Sequence, residues 1–372
     1  MSDVPHLRFP EFSGEWECST IGREFELYSG NTPSRLDKEQ FNGNVNWISS
    51  GELKEHYIYD TKEKITEEAA SCNNLRLLPI GTFVIAIYGL EAEGVRGTGS
   101  VIQKKSTISQ ACMAFSSKGT ITNEFLYSWY KKHGNLIGLK YAQGTKQQNL
   151  SYDIISQFRI SYPSITEQKK LEDFISLIDE RIATQNKIIE KLESLIKGIA
   201  HRVAGMGKPN VCLKECLECT SSTLQESEVS DLGPYPVYGA NGIVGFLDSY
   251  NTPDEAIYIV KDGSGVGSVA YVKGKCSATG TLTILTAKQD YSLQFLYYML
   301  KVFNFEPYKT GMAIPHIYFK DYSKAKIFCS SYSKQLRYAK MLEAIDAKLL
   351  IEQKVFISLN SQKQYLLRLM FI

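Results

Sequence analysis

Residues 164–200 read SITEQKKLEDFISLIDERIATQNKIIEKLESLIKGIA, and residues 331–367 read SYSKQLRYAKMLEAIDAKLLIEQKVFISLNSQKQYLL. The two stretches align without a gap at an offset of 167 residues, and the alignment extends upstream to Gly144 and Gly311. Identical residues fall at the pairs Ile160 and Ile327, Ser164 and Ser331, Gln168 and Gln335, Ile178 and Ile345, Asp179 and Asp346, and Leu192 and Leu359. The chain therefore contains two copies of one plan, and each copy is interpreted beside the other.

Both stretches carry a heptad seam, in which apolar residues alternate at spacings of three and four. The first seam comprises Ile175, Ile178, Ile182, Gln185, Ile189 and Leu192, and the second comprises Leu342, Ile345, Leu349, Glu352, Phe356 and Leu359. This period predicts long helices that wind against each other within the chain. Because a polar residue in an apolar seam can fix register, we expect the equivalent residues Gln185 and Glu352 to face each other. An ordinary amphipathic core helix is the alternative.

The start of the first helix has a capping signature. In Ser164-Ile165-Thr166-Glu167, the Ser164 hydroxyl is expected to accept from the Glu167 amide while the Glu167 carboxylate reaches back to the cap. Pro163 precedes the cap, and Gly205 follows the expected end of the helix. The second helix keeps Ser331 but lacks the acidic residue, so its start should be less firm.

Ahead of each helix lies a segment rich in short strand-like runs and glycine turns. The run 82–88 precedes glycines at 89, 94, 97 and 99, and the run 256–261 precedes Gly263-Ser264-Gly265. A strand-like run, 268–272, follows the second turn, so the turn is interpreted as a hairpin and not as a phosphate loop. Each copy is predicted to be an α+β domain with mainly antiparallel strands. The expected boundaries are 1–163 and 206–330 for the domains, and 164–205 and 331–372 for the helices.

Composition is that of an ordinary globular protein. The chain has 372 residues, of which 43% are hydrophobic and 22% charged, with a formal net charge of +2. It has no apolar run long enough for a membrane span, and residues 1–5 lack signal-peptide character, so a cytoplasmic location is expected. Eight irregularly spaced cysteines suggest reduced thiols. The cluster Cys212, Cys216 and Cys219 has no evident fourth ligand nearby, so neither a metal nor a cofactor is expected.

Familiar catalytic motifs are missing from the sequence. It has no P-loop lysine, no His-Glu-x-x-His, no Gly-x-Ser-x-Gly and no Asn/Asp-Pro-Pro-Tyr/Phe, and it contains only five histidines. These absences favour a binding protein over an enzyme.

A polar segment before the first long helix carries the best candidates for DNA contacts. It contains Lys146, Gln147, Gln148 and Asn149. Amide side chains can pair with adenine edges, and lysine reaches guanine acceptors or phosphates. Further candidates are Lys309 and His316 in the matching segment, Arg96 and Lys261 beside the glycine turns, and the lysines at 104, 105, 131, 132, 140, 273 and 275. A polar solvated loop is the alternative interpretation.

The duplicated domain with its long helix resembles the specificity subunit of type I restriction-modification systems. The resemblance covers essentially the whole chain and rests on Leu7-Arg8-Phe9-Pro10-Glu11-Phe12 with Trp16, on Tyr162-Pro163-Ser164-Ile165-Thr166-Glu167-Gln168, and on Gly144-Thr145 with Gln147. It implies two target recognition domains that read the halves of a bipartite site in double-stranded DNA, and an antiparallel coiled coil that acts as a spacer. It also implies two methyltransferase subunits and restriction subunits with a motor as partners, and no catalysis by this chain. A coiled-coil scaffold with two protein- or glycan-binding domains is the rival interpretation.

Overall fold

The computed structural model describes residues 4–92, 94–144, 146–263, 265–311 and 314–372. Thr145, Ser264, Met312 and Ala313, which belong to segments singled out above, lie outside the described residues, as do residues 1–3. The chain divides into two compact units, Met1–Thr184 with Phe356–Ile372, and Gln185–Val355. Each unit contains part of both long helices.

The first unit contains most of the first repeat. Its elements are β1 Glu17–Thr20, α1 Ile21–Glu24, β2 Phe25–Ser29, β3 Val45–Ile48, β4 Tyr57–Ile58, β5 Lys64–Ile65, α2 Glu67–Cys72, β6 Phe83–Ala86, β7 Gly99–Ile102, β8 Ser106–Ile108, β9 Cys112–Ser117, α3 Asn123–Tyr141, α4 Tyr152–Ser156, β10 Arg159–Tyr162 and the first half of α5 Ile165–Ala204. Short 3-10 helices span Lys38–Phe41 and Ser50–Glu52.

The second unit contains the second repeat. Its elements are the remainder of α5, β11 Val211–Cys212, α6 Leu213–Cys216, β12 Leu217–Ser221, β13 Tyr235–Gly239, β14 Gly242–Leu247, β15 Ala256–Val260, β16 Val269–Val272, β17 Ser277–Ala278, β18 Leu282–Ala287, α7 Leu293–Lys301, α8 Phe319–Tyr322, β19 Lys326–Ile327 and the first half of α9 Tyr332–Met370. Short 3-10 helices span Glu226–Glu228 and Glu306–Tyr308.

The two units have matching sheets, which confirms the predicted duplication of an α+β domain. The larger sheets have the orders β2-β9-β6-β7-β4 and β12-β18-β15-β16, and the smaller ones β5-β3-β8 and β14-β13-β17. Pairing is mainly antiparallel, with parallel pairs such as β3 with β8 and β13 with β17. The central strands β6 and β15 are buried along their whole length, which explains their unbroken apolar sequences.

Both glycine turns connect antiparallel strands. Ile259 pairs with Val269 across β15 and β16, and Ile85 pairs with Gly99 across β6 and β7. The interpretation of the second turn as a hairpin and not a phosphate loop is therefore confirmed. In the first repeat, the strands are followed by the 19-residue helix α3, which runs from Asn123 to Tyr141.

Each domain packs against halves of both long helices. Leu171 and Ile175 of α5 share the core of the first unit with Leu367 and Met370 of α9. In the second unit the shared core includes Ile196 and Ala200 of α5 with Ala339 and Leu342 of α9. None of the helices in the described part of the chain combines the length and hydropathy needed to cross a bilayer.

The helices run antiparallel within the second unit. The Gln185 side-chain amide donates to the Glu352 carbonyl at 3.0 Å, and the Tyr338 hydroxyl lies 3.3 Å from the Met206 sulfur just beyond the end of α5. Partner numbers in α9 therefore fall as residue numbers rise along α5. The expected meeting of the two polar seam residues is confirmed.

The cap of α5 is only half as predicted. Ser164 Oγ accepts from the Glu167 amide at 3.4 Å, as expected. The Glu167 carboxylate, however, accepts two hydrogen bonds of 2.7 Å from Arg8 instead of reaching back to the cap. The box prediction was wrong on this point because a guanidinium, with two donors in a fork, offers a carboxylate more than one backbone amide does.

Candidate functional site

The polar segment of the first repeat is a closed loop, residues 143–149, which we term the first loop. Gln143 and Asn149 exchange backbone hydrogen bonds of 2.9 and 2.8 Å across its base. Gly144 has a φ of +120°, and a Cβ there would lie 2.0 Å from the Gln147 carbonyl oxygen. Only glycine satisfies both conditions, so this residue decides the shape of the loop.

Three hydrogen bonds attach the first loop to the end of β6. The Leu150 amide donates to the Ile87 carbonyl at 2.9 Å, and the Leu90 amide donates to the Gln148 carbonyl at 3.1 Å. The Gln148 amide donates to the Glu91 carboxylate at 2.9 Å, and this bond lowers the pKa of Glu91. The loop is therefore held at one end of the sheet.

The second repeat closes a loop in the same way with other residues. In the second loop, residues 310–316, Thr310 and His316 exchange backbone hydrogen bonds of 2.9 and 2.8 Å. Gly311 has a φ of +88°, and a Cβ there would lie 2.3 Å from the Ile314 carbonyl oxygen. The Ile317 amide donates to the Lys261 carbonyl at 2.9 Å, which attaches this loop to the end of β15.

The predicted DNA-contact residues differ in the solvent exposure of their side chains. In the first loop Lys146 and Gln147 are exposed, whereas Gln148 and Asn149 are half-buried. In the second repeat, Lys309 and His316 are half-buried. The Lys309 ammonium lies 2.6 Å from the Glu306 carboxylate, and the His316 ring lies 5.3 Å from that of Tyr318.

Arg96 and Lys261 lie where the loops meet the sheets. The Arg96 guanidinium donates to the carbonyls of Leu90 and Glu91 at 3.2 and 3.4 Å. Its stem contacts α3 at Gly138, where a Cβ would lie 3.1 Å from Arg96 Cγ. Lys261 is half-buried, and its amide donates to the Thr281 carbonyl at 3.0 Å. The structure thus brings Arg96 close to the first loop and Lys261 close to the second.

Two of the other lysines are engaged in packing. Lys132 donates to the carbonyls of Arg368 and Phe371 at 3.2 and 2.5 Å. It thus supplies a hydrogen-bond donor to backbone carbonyls at the carboxyl end of α9. The neighbouring His133 contacts the Ile372 carbonyl at 3.0 Å, and burial lowers its pKa to about 4. Lys131 lies 5.4 Å from the Tyr127 ring centre, and burial lowers its pKa.

All twelve predicted seam residues are buried or half-buried, so they lie on the inward faces of α5 and α9. They are Ile175, Ile178, Ile182, Gln185, Ile189, Leu192, Leu342, Ile345, Leu349, Glu352, Phe356 and Leu359. Glu352 also forms an ion pair with Lys348, and the hydrogen bond from Lys348 together with that from Gln185 lowers the pKa of Glu352. The carboxylate therefore stays charged at the centre of the seam.

Sequence reasoning missed a polar cluster on His56. Its ring stacks between those of Tyr57 and Tyr127, with ring centres 4.0 and 3.8 Å away. Nε2 lies 2.8 Å from the Glu124 carboxylate, and Nδ1 lies 3.6 Å from that of Asp179, which also binds Lys363. Asp179 was visible as an identity between the repeats, but nothing in the sequence pointed to His56.

The buried glutamines Gln168 and Gln335 were visible as an aligned pair, although their role was not. The Gln168 side-chain oxygen accepts from the Thr122 amide at 3.0 Å, and the Gln335 oxygen accepts from the Ser292 amide at the same distance. Thr122 and Ser292 are the N-caps of α3 and α7. Each glutamine therefore connects a long helix to the first turn of its domain's helix.

A family model for the type I restriction modification DNA specificity domain matches this chain twice, at residues 13–194 and 208–360. The chain is 29% identical over 185 residues to the MjaIX type I restriction enzyme specificity subunit of Methanocaldococcus jannaschii, covering 48% of this chain and 42% of the relative. It is 28% identical over 190 residues to a type I restriction enzyme specificity subunit of Escherichia coli, covering 50% and 45%. The chain thus matches less than half the length of these two relatives.

The fold is similar to that of solved proteins over almost the whole chain. The crystal structure of a type I restriction-modification S subunit from M. genitalium superposes with a TM-score of 0.66 at 20% sequence identity, covering 99% of both chains. A chain from a structural study of the assembly of a type I restriction-modification system gives a TM-score of 0.57 at 14% identity, covering 98% of both chains.

Proposed function

The chain belongs to the type I restriction modification DNA specificity family, and from that membership we propose that its two domains read the two halves of a bipartite site in double-stranded DNA. The domain preceding α5 reads one half and the domain preceding α9 reads the other. Helices α5 and α9, the spacer helices, set the gap between the halves. The chain itself catalyses nothing and acts as the specificity subunit of a larger complex.

The observation that carries this proposal is that one loop is built twice from different side chains. Both loops have a positive-φ glycine at their second position and are attached to the end of a central strand. Gln147 of the first loop is replaced by Ile314 of the second, and Asn149 by His316. The same loop base with two sets of side chains suits a protein that recognises two different sequences, because bases are distinguished by the groups that meet their edges.

The length and pairing of the long helices support the proposed spacer role. Helix α5 has 40 residues and α9 has 39, so each is roughly 60 Å long at about 1.5 Å per residue. Every seam residue is at least half-buried, and this supports pairing of the helices within each unit. Helices of this length suit an element that sets the gap between two half-sites.

We assign the chemistry to partners. Two methyltransferase subunits would supply the methyl donor and the adenine chemistry, and restriction subunits with a motor would join them. A near-neutral net charge of +2 is compatible with this division, since partner subunits can provide some of the phosphate contacts. No cofactor is assigned to this chain.

Methylation mapping tests the proposal. The full chain is produced with its methyltransferase in a host without other adenine methylation, and methylated adenines are sequenced. We expect a bipartite motif with one gap length, of which the first half changes in the Lys146→Ala, Gln147→Ala double variant while the second is kept. Methylated sites without a bipartite motif would favour the scaffold interpretation. So would a methyltransferase that has the same DNA affinity with and without this chain.

A further inference from the structure

Gln168 forms a buried joint between three elements of the first unit. Its side chain has no exposed surface. The amide oxygen accepts from the Thr122 amide at the start of α3, and the amide nitrogen donates to the Thr120 and Pro163 carbonyls at 2.9 and 2.8 Å. One side chain on the first turn of α5 thus binds the helix cap of the domain and the residue that follows β10.

The second unit has a counterpart of this joint at Gln335, with two of the three hydrogen bonds. This residue is 2% exposed, its oxygen accepts from the Ser292 amide at 3.0 Å, and its nitrogen donates to the Ser330 carbonyl at 2.8 Å. Ser292 caps α7 and Ser330 follows β19, so both partners are equivalent to those of Gln168. The recurrence shows that the contact belongs to the shared plan of the repeats.

The chemistry of the contact makes it directional. A carboxamide offers an acceptor and a donor group on opposite sides of one plane, and a buried partner left without a bond costs more than the bond itself contributes. An apolar core tolerates small rotations of one element on another, whereas these hydrogen bonds weaken steeply with angle. The joint therefore fixes the angle between domain and helix more sharply than the surrounding packing does.

We propose that Gln168 and Gln335 are positioning residues that fix the angle of each recognition domain on its spacer helix, and thereby restrict the complex to one gap length. This inference rests on the proposed function. The glutamines need not touch DNA, since they act through the rigid connection between α3 or α7 and the start of the spacer helix.

The test uses the full chain in complex with its methyltransferase subunits. Substrates keep both half-sites constant and have the natural gap or a gap one base pair shorter or longer. Variants are Gln168→Met, which removes all the hydrogen bonds at similar volume, and Gln168→Glu, which keeps the acceptor for the Thr122 amide. Gln335→Met is the matched variant in the other repeat, and Ile85→Val, a buried change away from the joint, controls for loss of stability.

We expect the ratio of methylation on wrong-gap to natural-gap DNA to rise about tenfold in Gln168→Met and in Gln335→Met. The rise should be at least as large in Gln168→Glu, whose carboxylate cannot donate to the Thr120 and Pro163 carbonyls, and absent in Ile85→Val. The half-site sequences should stay the same. Unchanged gap preference in both Gln168 variants would refute the positioning role of Gln168 while leaving the proposed function intact. A wild-type complex that reads no bipartite site would overturn both.

Discussion

Gln185 and Glu352, equivalent residues of the two repeats, are bonded to each other: the Gln185 amide nitrogen donates to the Glu352 carbonyl at 3.0 Å and to its carboxylate. Equivalent residues of a repeat can meet in an antiparallel helix pair only at its midpoint. Helix α5 spans Ile165–Ala204 and α9 spans Tyr332–Met370, so both residues lie at the middle of their helices. The polar pair therefore marks the register of the spacer.

Replacing the polar pair should stabilise the chain and loosen its register. In the Gln185→Leu, Glu352→Leu double variant we expect the free energy of unfolding to rise, because a polar seam position fixes register at a cost in stability. The single Gln185→Leu variant should be less stable than the double variant, since the Glu352 carboxylate loses a donor. Urea unfolding measures the stability of the single and the double variant. A double variant less stable than wild type would contradict this account of the pair.

The Arg8–Glu167 pair should contribute strongly to stability because it is shielded from water. The side chains are 14% and 2% exposed. Arg8→Ala would leave a buried carboxylate unpaired, so we expect a loss of about 3 kcal/mol in urea unfolding. Arg35→Ala is the matched control, because the Arg35–Glu63 pair is 54% and 42% exposed and should contribute at most about 1 kcal/mol. Equal losses in the two variants would refute the role of burial.

The His56 cluster should make stability depend on pH. Burial lowers the pKa of His56, but the nearby carboxylates of Asp179 and Glu124 raise it more, so the net shift is upward. The stabilisation is therefore complete below the ordinary histidine pKa of about 6.5 and is lost as the pH rises through the folded-state pKa. Asp179, whose pKa is lowered on balance by His56 and Lys363 against the effect of burial, stays charged in this range.

The measurement compares wild type with His56→Gln by urea unfolding from pH 5.5 to 8.5. Their difference in free energy of unfolding should shrink as the pH rises. His133, whose pKa is lowered to about 4, has the opposite trend, and the subtraction removes it because both proteins contain it. A difference that grows with pH would show that His56 is neutral in the folded chain.

A methyl group at Gly144 should destroy the first loop. A Cβ there would lie 2.0 Å from the Gln147 carbonyl oxygen, so Gly144→Ala must open the Gln143–Asn149 base. We expect faster amide exchange at residues 143 and 149 and weaker binding to the first half-site. Gly81→Ala is the control, since Gly81 also has a positive φ, +84°, but a methyl group added there would have nothing within 4 Å. Equal DNA affinity of the two variants would remove the first loop from the DNA interface.

The helices and the duplication could be predicted from sequence because their signals are periodic. Ile175, Ile178 and Gln185 lie on one face by spacing alone, and the offset of 167 residues located their partners. The second loop was harder to predict, because its side chains differ from those of the first. Gly311, the equivalent of Gly144, was the shared feature visible in the sequence.

The long-range polar contacts could not be predicted, because they depend on which surfaces the fold brings together. Arg8 reaches Glu167 across 159 residues, and His56 reaches Asp179 through the docking of its domain. The hydrogen bonds of the candidate cation Lys132 could not be predicted for the same reason, since sequence does not reveal that the end of α9 lies beside it. Residue spacing predicts the structure of a single helix or strand, whereas these contacts form only when separate elements pack together.

The most direct test of the central claim is to shorten the spacer symmetrically. Residues 182–188 and 349–355 are heptads centred on Gln185 and Glu352, and their removal spares Asp179 and Asp346. Deleting both shortens the pair by about 10 Å, or about three base pairs of DNA. Sequencing of methylated adenines should then show the same two half-sites with a shorter gap. Unchanged gap length with intact half-sites would contradict the account.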